Sequence, residues 1–249
     1  MGSERINIRG VGFDNVTLAE ASALLRRRAA QGECGMAVYT PNSEIVQMCI
    51  GDSALAETVN AAALIIPDGI GVVKAARILG TPLKGKVAGV ELGREVLAFA
   101  AEDGLPVFFL GGKPGVAEIA AEKMCAAHPG LTLCGVHDGY FAKSGEENDA
   151  VVRQIRESGA KILFVCLGAP AQEKWIAENR AALPEVQILM GLGGSLDIYA
   201  GTVKRAPKIF IKLGLEWLYR LLKEPWRIGR MMNLPKFYFG TWRYKLTGK

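Results

Sequence analysis

Apolar residues along this chain come in short runs that alternate with segments of helical period. Ile6 and Ile8, a turn at Gly10–Gly12 and then Phe13 predict a short hairpin over residues 5–16. Thr17 can cap a helix reaching about Gln31, apolar at Leu18, Ala21, Leu24 and Leu25. Met36–Tyr39 reads as a strand ending in Thr40-Pro41-Asn42, with helices following at 43–50 and 53–62. Leu64-Ile65-Ile66 stops abruptly at Pro67-Asp68-Gly69-Ile70-Gly71: a buried strand, a tight turn, and a helix running to residue 79. Gly80–Gly89 is a loop and Glu91–Ala101 a helix.

From there the alternation is regular. Strands are expected at 107–110, 131–136, 162–167 and 186–190, with helices at 116–127, 146–157 and 172–182. Continuous apolar strands between helices argue a parallel sheet covered on both faces. The expected fold is α/β, a doubly wound, mostly parallel, Rossmann-like sheet. Each of these strands runs out into glycine or polar residues, and ligands of open α/β sheets bind beyond the carboxyl ends of the strands. That edge is the expected active face.

The last fifth of the chain has another character. Lys208, Lys212, Glu216, Arg220 and Lys223 share one helical arc, and apolar residues cover the rest until Pro225. A second basic and aromatic segment runs from Trp226 to Lys249. Residues 202–249 carry 12 Lys and Arg against Glu216 and Glu224, a balance of +10, while 1–201 balance at −5, giving the net +5. Three of the four tryptophans, Trp217, Trp226 and Trp242, lie in the tail. The expected organisation is an α/β catalytic core at 1–201 and a basic, amphipathic, helical, membrane-associating appendage at 202–249. Such a tail suits an anionic partner: a membrane surface, nucleic acid or a phosphorylated substrate. Its apolar face can instead pack on the body or on a second subunit, which keeps a homo-oligomer open.

Composition narrows the classes. No run of 18 apolar residues predicts a spanning helix, and residues 1–5 lack the apolar stretch of a secretory signal. Cys34, Cys49, Cys125, Cys134 and Cys166 are odd in number and widely spaced, which fits reduced thiols in a cytoplasmic protein.

Gly80–Val87 imitates a phosphate-binding P-loop, but Val87 stands where Ser or Thr must hold magnesium, and the stretch follows a helix rather than a strand. There is no GxGxxG after a first strand, no Asp-x-Asp and no HExxH or Cys/His cluster, so neither a metal site nor a cofactor is expected. The candidates that remain are the strand-end residues Thr40, Asn42, Asp68, Gly111, Tyr140, Gly168, Gln172, Glu173, Gly193 and Asp197. Glycine turns leading into helices suit a diphosphate, because backbone N–H groups point outward there. Each polar candidate has a plainer reading. Asp68 and Asp197 can be helix caps, and Gln172 and Glu173 can stabilise a first helical turn.

Thr40-Pro41-Asn42, Pro67-Asp68-Gly69, Gly139-Tyr140-Phe141, the run Gly168-Ala169-Pro170-Ala171-Gln172-Glu173-Lys174-Trp175, Gly193-Gly194-Ser195-Leu196-Asp197 and Arg205-Ala206-Pro207 occur in this order. Leu215-Glu216-Trp217-Leu218-Tyr219-Arg220 and Glu224-Pro225-Trp226-Arg227 complete the series. Together they resemble the bacterial WecG/TagA/CpsF glycosyltransferase family, most of all its TagA branch, over nearly the full length. The resemblance implies a metal-independent, inverting transfer from a UDP-sugar donor to an undecaprenyl-diphosphate-linked sugar acceptor at the cytoplasmic membrane face. For that branch it implies UDP-N-acetylmannosamine as donor, N-acetylglucosamine on the lipid as acceptor, and a product that primes wall teichoic acid. It also implies Asp68 as general base, Thr40, Asn42 and Gln172 in its pocket, and Arg220, Arg227 and Arg230 on the substrate phosphates. Lys86 stands where the family pattern has an arginine, keeping the charge without the bidentate fork, and Glu91 stands near where an aspartate is expected. The resemblance implies no nucleic-acid partner. Two other readings stay open: the same family with another UDP-sugar donor for a different surface polysaccharide, and a non-catalytic membrane-docking or nucleic-acid-binding protein using the tail alone, which would leave Asp68 and the strand-end loops without a role.

Overall fold

The computed structural model describes residues 5–203, 206, 207, 210, 218, 219 and 233–248. Lys208, Lys212, Glu216, Arg220 and Lys223 of the expected amphipathic arc therefore fall outside the described residues, as do Arg227 and Arg230. Six strands form one parallel sheet: β3 (Met36–Tyr39), β4 (Leu64–Ile65), β5 (Val107–Gly111), β6 (Leu133–His137), β7 (Ile162–Cys166) and β8 (Ile188–Gly191). Their spatial order is β4-β3-β8-β7-β5-β6, and every pairing is parallel. The Rossmann-like α/β expectation holds.

Successive strand residues point to opposite faces, and two apolar cores follow from that alternation. Ala37, Tyr39, Phe108, Leu110, Leu163 and Val165 face one side. There they meet α2 (Ser43–Gly51), α3 (Ser53–Asn60), α4 (Ile70–Leu79), α7 (Glu146–Glu157) and α8 (Ala171–Asn179). Met36, Val38, Val107, Phe109, Ile162 and Phe164 face the other. They meet α1 (Leu18–Ala30), α5 (Gly89–Asp103), α6 (Val116–Ala127) and α9 (Ser195–Ala200). Neighbouring strands thus send their following helices to opposite faces at β3/β8, β8/β7, β7/β5 and β5/β6. These are the places where a crevice opens at the carboxyl edge.

The hairpin of β1 (Arg5–Ile8) and β2 (Val11–Asp14) covers the β4 edge. Buried Asp14 accepts the Ile65 N–H at 2.8 Å, so a donor that an edge strand would leave to solvent is satisfied within the chain. α1 starts where expected, with Thr17 and Glu20 in a reciprocal capping box.

Several element bounds differ from those expected. α3 ends at Asn60, α5 begins at Gly89 rather than Glu91, β6 begins at Leu133, α8 gives way after Asn179 to a 3-10 turn at Arg180–Ala182, and β8 begins at Ile188. A six-residue helix, α9, follows directly on Gly193-Gly194 where only a loop was expected. The basic segment after Trp226 contains a 15-residue helix, α10 (Asn233–Thr247), lying on α2 and α4. Its Phe237 is fully buried in the first core.

Candidate active site

The site begins where β3 and β4 end. Parallel pairing continues past both strands: Ile66 N donates to Tyr39 O at 3.0 Å and Asp68 N to Pro41 O at 3.3 Å. Asp68, half-buried, is thereby held beside Thr40-Pro41-Asn42. The residue that caps α4 is Gly69, at φ +97°, and no side chain makes the cap bond. Asp68 is therefore not the cap of that helix, and the left-handed turn beside it needs the glycine. Asn42 does cap: its Oδ1 accepts Glu44 N at 2.9 Å and Ile45 N at 3.1 Å, opening α2 at the mouth of the same corner.

A third segment closes on this corner. Val87 N donates to Pro67 O at 3.0 Å, laying the loop that carries half-buried Lys86 against the Asp68 turn. A Cβ on Gly89 would stand 3.1 Å from Thr40 Oγ1 and Cγ2. The start of α5 lies over Thr40 because it has no side chain there.

β8 and β7 supply the next sector. Thr40 Oγ1 donates to Gly191 O at 3.1 Å. Gln172, buried at the start of α8, accepts Gly193 N on Oε1 at 2.8 Å and donates from Nε2 to Glu173 Oε1 at 2.9 Å. A Cβ on Gly191 would meet that amide at 3.1 Å, so Gln172 occupies the space glycine leaves. Glu173 is 1 % exposed, and its Oε2 has no hydrogen-bond partner among the described residues. Burial pushes its carboxyl above the usual carboxylate range. Beneath it, Tyr39 Oη donates to the Glu173 carbonyl at 3.1 Å. Gly168 takes the left-handed turn between β7 and α8, its carbonyl accepting Gln172 N at 2.9 Å. Asp197 lies in the first turn of α9, where the cap position is Gly194. Its backbone carbonyl accepts Thr202 Oγ1 at 3.0 Å and Val203 N at 3.2 Å, fixing the chain as it leaves the sheet.

The last sector joins β5 and β6. Gly111 sits at φ +127°, and a Cβ would fall 2.4 Å from Cys166 O, so any side chain would drive the strands apart. Gly112 N donates to Cys166 O at 3.3 Å and Gly139 N to Gly112 O at 2.8 Å. Tyr140 stands 68 % exposed beyond Gly139, at a cavity of about 420 Å³ lined also by His137, Asp138, Phe141, Glu147 and Gln154. Lys143 Nζ donates to Gly139 O at 2.8 Å and lies 3.6 Å from the centre of the Phe141 ring. Its burial lowers the ammonium pKa.

Hydrogen bonds thus link all six strand-end loops into one rim that carries residues 40, 42, 68, 111, 168, 172, 173 and 193 of those singled out in the sequence, with Tyr140 exposed beyond Gly139, Lys86 in the loop laid against the Asp68 turn and Asp197 in the first turn of α9. Glu173 and the rim glycines act differently from their expectation. Glu173 is sealed beneath the rim rather than facing a ligand. The N–H groups of Gly112, Gly139 and Gly193 are engaged within the rim, so these glycines supply close approach rather than open donors. Tyr39 and Lys143 are contributors the sequence did not single out. Tyr39 reads only as strand core, and Lys143 is one lysine of a polar loop. Among the described residues no three His, Cys, Asp or Glu side chains gather as a metal site, and no helix is long and apolar enough to cross a membrane.

Residues 6–249 match the glycosyl transferase WecG/TagA/CpsF family. Two similar proteins are each named N-acetylglucosaminyldiphosphoundecaprenol N-acetyl-beta-D-mannosaminyltransferase. The one from Bacillus subtilis (strain 168) is 34 % identical over 230 residues, 92 % of this chain and 88 % of the relative. The one from Staphylococcus aureus (strain MW2) is 36 % identical over 236 residues, 94 % of this chain and 91 % of the relative. With the match running from the first hairpin through α10, the chain belongs to the glycosyl transferase WecG/TagA/CpsF family.

Proposed function

We propose that this protein transfers N-acetylmannosamine from UDP-N-acetylmannosamine to N-acetylglucosamine on undecaprenyl diphosphate, an early step of wall teichoic acid synthesis. The names of its relatives specify the sugar, the acceptor and a β-linked product. An α-linked UDP donor giving a β-linked product requires inversion by a single displacement. The acceptor hydroxyl attacks the anomeric carbon as a base removes its proton, and UDP departs from the opposite side.

The placement of Asp68 carries the mechanism. It is a carboxylate at the strand-end corner where three segments converge, next to a glycine that lets a sugar approach. Thr40, Asn42 and Gln172 line the same pocket, with Gly111, Tyr140, Gly168, Gly193 and Asp197 around the rest of the rim. Charge building on UDP needs compensation. Lys86 and the start of α5 serve this from the body, and Arg220, Arg227 and Arg230 from the tail.

The acceptor's lipid places the reaction at the cytoplasmic membrane surface, with residues 1–201 as the catalytic unit and 202–249 as the docking segment. α10 presents Phe239, Trp242 and Leu246 to solvent along one helical face beside Lys236, Arg243 and Lys245. That composition suits an anionic membrane interface.

A panel of UDP-sugars against a short-chain lipid-diphosphate-GlcNAc acceptor tests the reading. N-acetylmannosamine transfer with UDP release is expected, undiminished by EDTA. Preference for another sugar would leave the family chemistry and change the donor; loss of transfer on chelation, restored by magnesium or manganese, would overturn the metal-independent route.

A further inference from the structure

We infer that Glu173 is a positioning residue: from beneath the rim it orients the Gln172 side chain, and through it the Gly191–Gly193 turn that floors the donor pocket. The inference rests on the proposed nucleotide-sugar reading.

Glu173 is 1 % exposed and Gln172 2 %, so both lie beneath the turn, and Glu173 accepts from the same amide that holds the Gly193 N–H. A Gln side chain has one acceptor oxygen and one donor NH2 of almost the same shape. Here the oxygen takes Gly193 N–H at 2.8 Å, and the NH2 gives one hydrogen to Glu173 Oε1 at 2.9 Å. Flipping the amide would set NH2 against the Gly193 N–H and, with the carboxyl ionised, oxygen against Glu173 Oε1. The Gly193 N–H and Glu173 Oε1 together therefore fix the orientation of the amide. A Cβ on Gly191 would stand 3.1 Å from Nε2, so the Gly191 backbone packs directly on the amide that Glu173 holds.

Within the turn, Leu192 N donates to Val165 O at 3.0 Å, and Leu192 O accepts from Ser195 N at 3.2 Å and Ser195 Oγ at 2.7 Å. Gly193, at φ +55° between Leu192 and Gly194, has the Gln172 oxygen for its N–H. Thr40 holds the Gly191 carbonyl from the β3 side, and Gln172 holds the Gly193 N–H from the β7 side. Glu173 is in turn seated by burial and by the Tyr39 hydroxyl on its backbone carbonyl. Among the described residues Oε1 has the Gln172 amide and the buried Oε2 has no partner, so the bond to Gln172 is the one this carboxyl makes there.

Two substitutions separate this role from plain packing. Glu173→Gln retains an oxygen that accepts from Gln172, whereas Glu173→Leu fills the space and removes the acceptor. Hydrogen exchange at the Gly193 amide, read without substrate, and titration with UDP are the measurements. Glu173→Gln should match the wild type in both. Glu173→Leu should melt cooperatively, exchange at Gly193 about tenfold faster, and bind UDP about tenfold more weakly, the scale of one lost hydrogen bond. Wild-type exchange at Gly193 in folded Glu173→Leu would overturn the inference, and so would a Glu173→Gln variant as impaired as Glu173→Leu. If Glu173→Leu does not fold, Glu173→Met, which also removes the acceptor, takes its place: wild-type Gly193 exchange in it overturns the inference, and faster exchange supports it. A wild-type protein that binds no UDP would sink the nucleotide-sugar reading, while the exchange data would still judge the positioning role.

Discussion

Thr40 Oγ1 donates to the carbonyl oxygen of Gly191 across 3.1 Å, tying the end of β3 to the end of β8 at a point buried from solvent. Thr40→Val keeps the shape and deletes the donor, leaving a buried carbonyl unsatisfied. The expected cost is about 1–3 kcal/mol in urea unfolding, with a fall in sugar transfer as the Gly191 turn loosens. Thr40→Ser should restore both. Equal stability of Thr40→Val and wild type would mean the bond contributes nothing.

Asp68→Asn tests the base. The substitution keeps size and hydrogen-bonding capacity, so cooperative melting is expected to persist. Turnover should fall by about 100-fold or more, the usual scale for losing a general base. Near-normal turnover would move the base to another residue.

Much of this was legible in the chain. The hairpin, α1, the strand-helix alternation and the glycine-rich strand ends follow from periods of 2 and 3.6 and from caps such as Thr17. Strand order was not legible, because parallel crossovers allow neighbours far apart in sequence: Thr40 and Gly191 are 151 residues apart. Gln172 and Glu173 are adjacent in sequence and both buried, and only their hydrogen bonds distinguish them: Gln172 holds the Gly193 N–H, and Glu173 holds the Gln172 amide. The start of α5 was misplaced because Gly89 looks like a loop residue until Thr40 is seen lying against it. α9 is too short for a periodic signal. α10 mixes buried Phe237 and Thr241 with exposed Phe239, Trp242 and Leu246, so its hydrophobic pattern has no single face.

Glu173 should also leave a mark on stability against pH. Burial raises its folded pKa above its unfolded value. Below the unfolded value both states hold the proton, and the group does not affect the balance. As pH rises past it, the unfolded chain releases the proton while the buried carboxyl keeps it, so the native state loses ground until the pH passes the folded value. Tyr39 and Cys49, which face Glu173, are themselves pushed up by burial, Cys49 to about 12, and do not titrate in this window. Melting of wild type and Glu173→Gln across mildly acidic to neutral pH should therefore diverge, with the variant gaining relative stability as pH rises. A constant offset would show that the carboxyl titrates normally.

The two sides of α10 make opposite predictions. Phe237 is fully buried against α2 and α4, and Thr241 Oγ1, one turn on, donates to the Phe237 carbonyl at 2.7 Å. Phe237→Ala should cost about 3–5 kcal/mol, the range for emptying a buried aromatic site. On the outer side Phe239, Trp242 and Leu246 are 76 %, 51 % and 80 % exposed, at spacings that put them on one face. Phe239→Ser and Trp242→Ser should leave urea midpoints nearly unchanged, since exposed substitutions usually shift stability by about 0.5 kcal/mol or less. They should weaken sedimentation with anionic vesicles and slow transfer to a lipid acceptor more than to a short-chain one. A Phe237→Ala protein that unfolds like wild type would mean that α10 is not docked as described. Unchanged vesicle binding by the double outer variant would move membrane docking to another part of the tail.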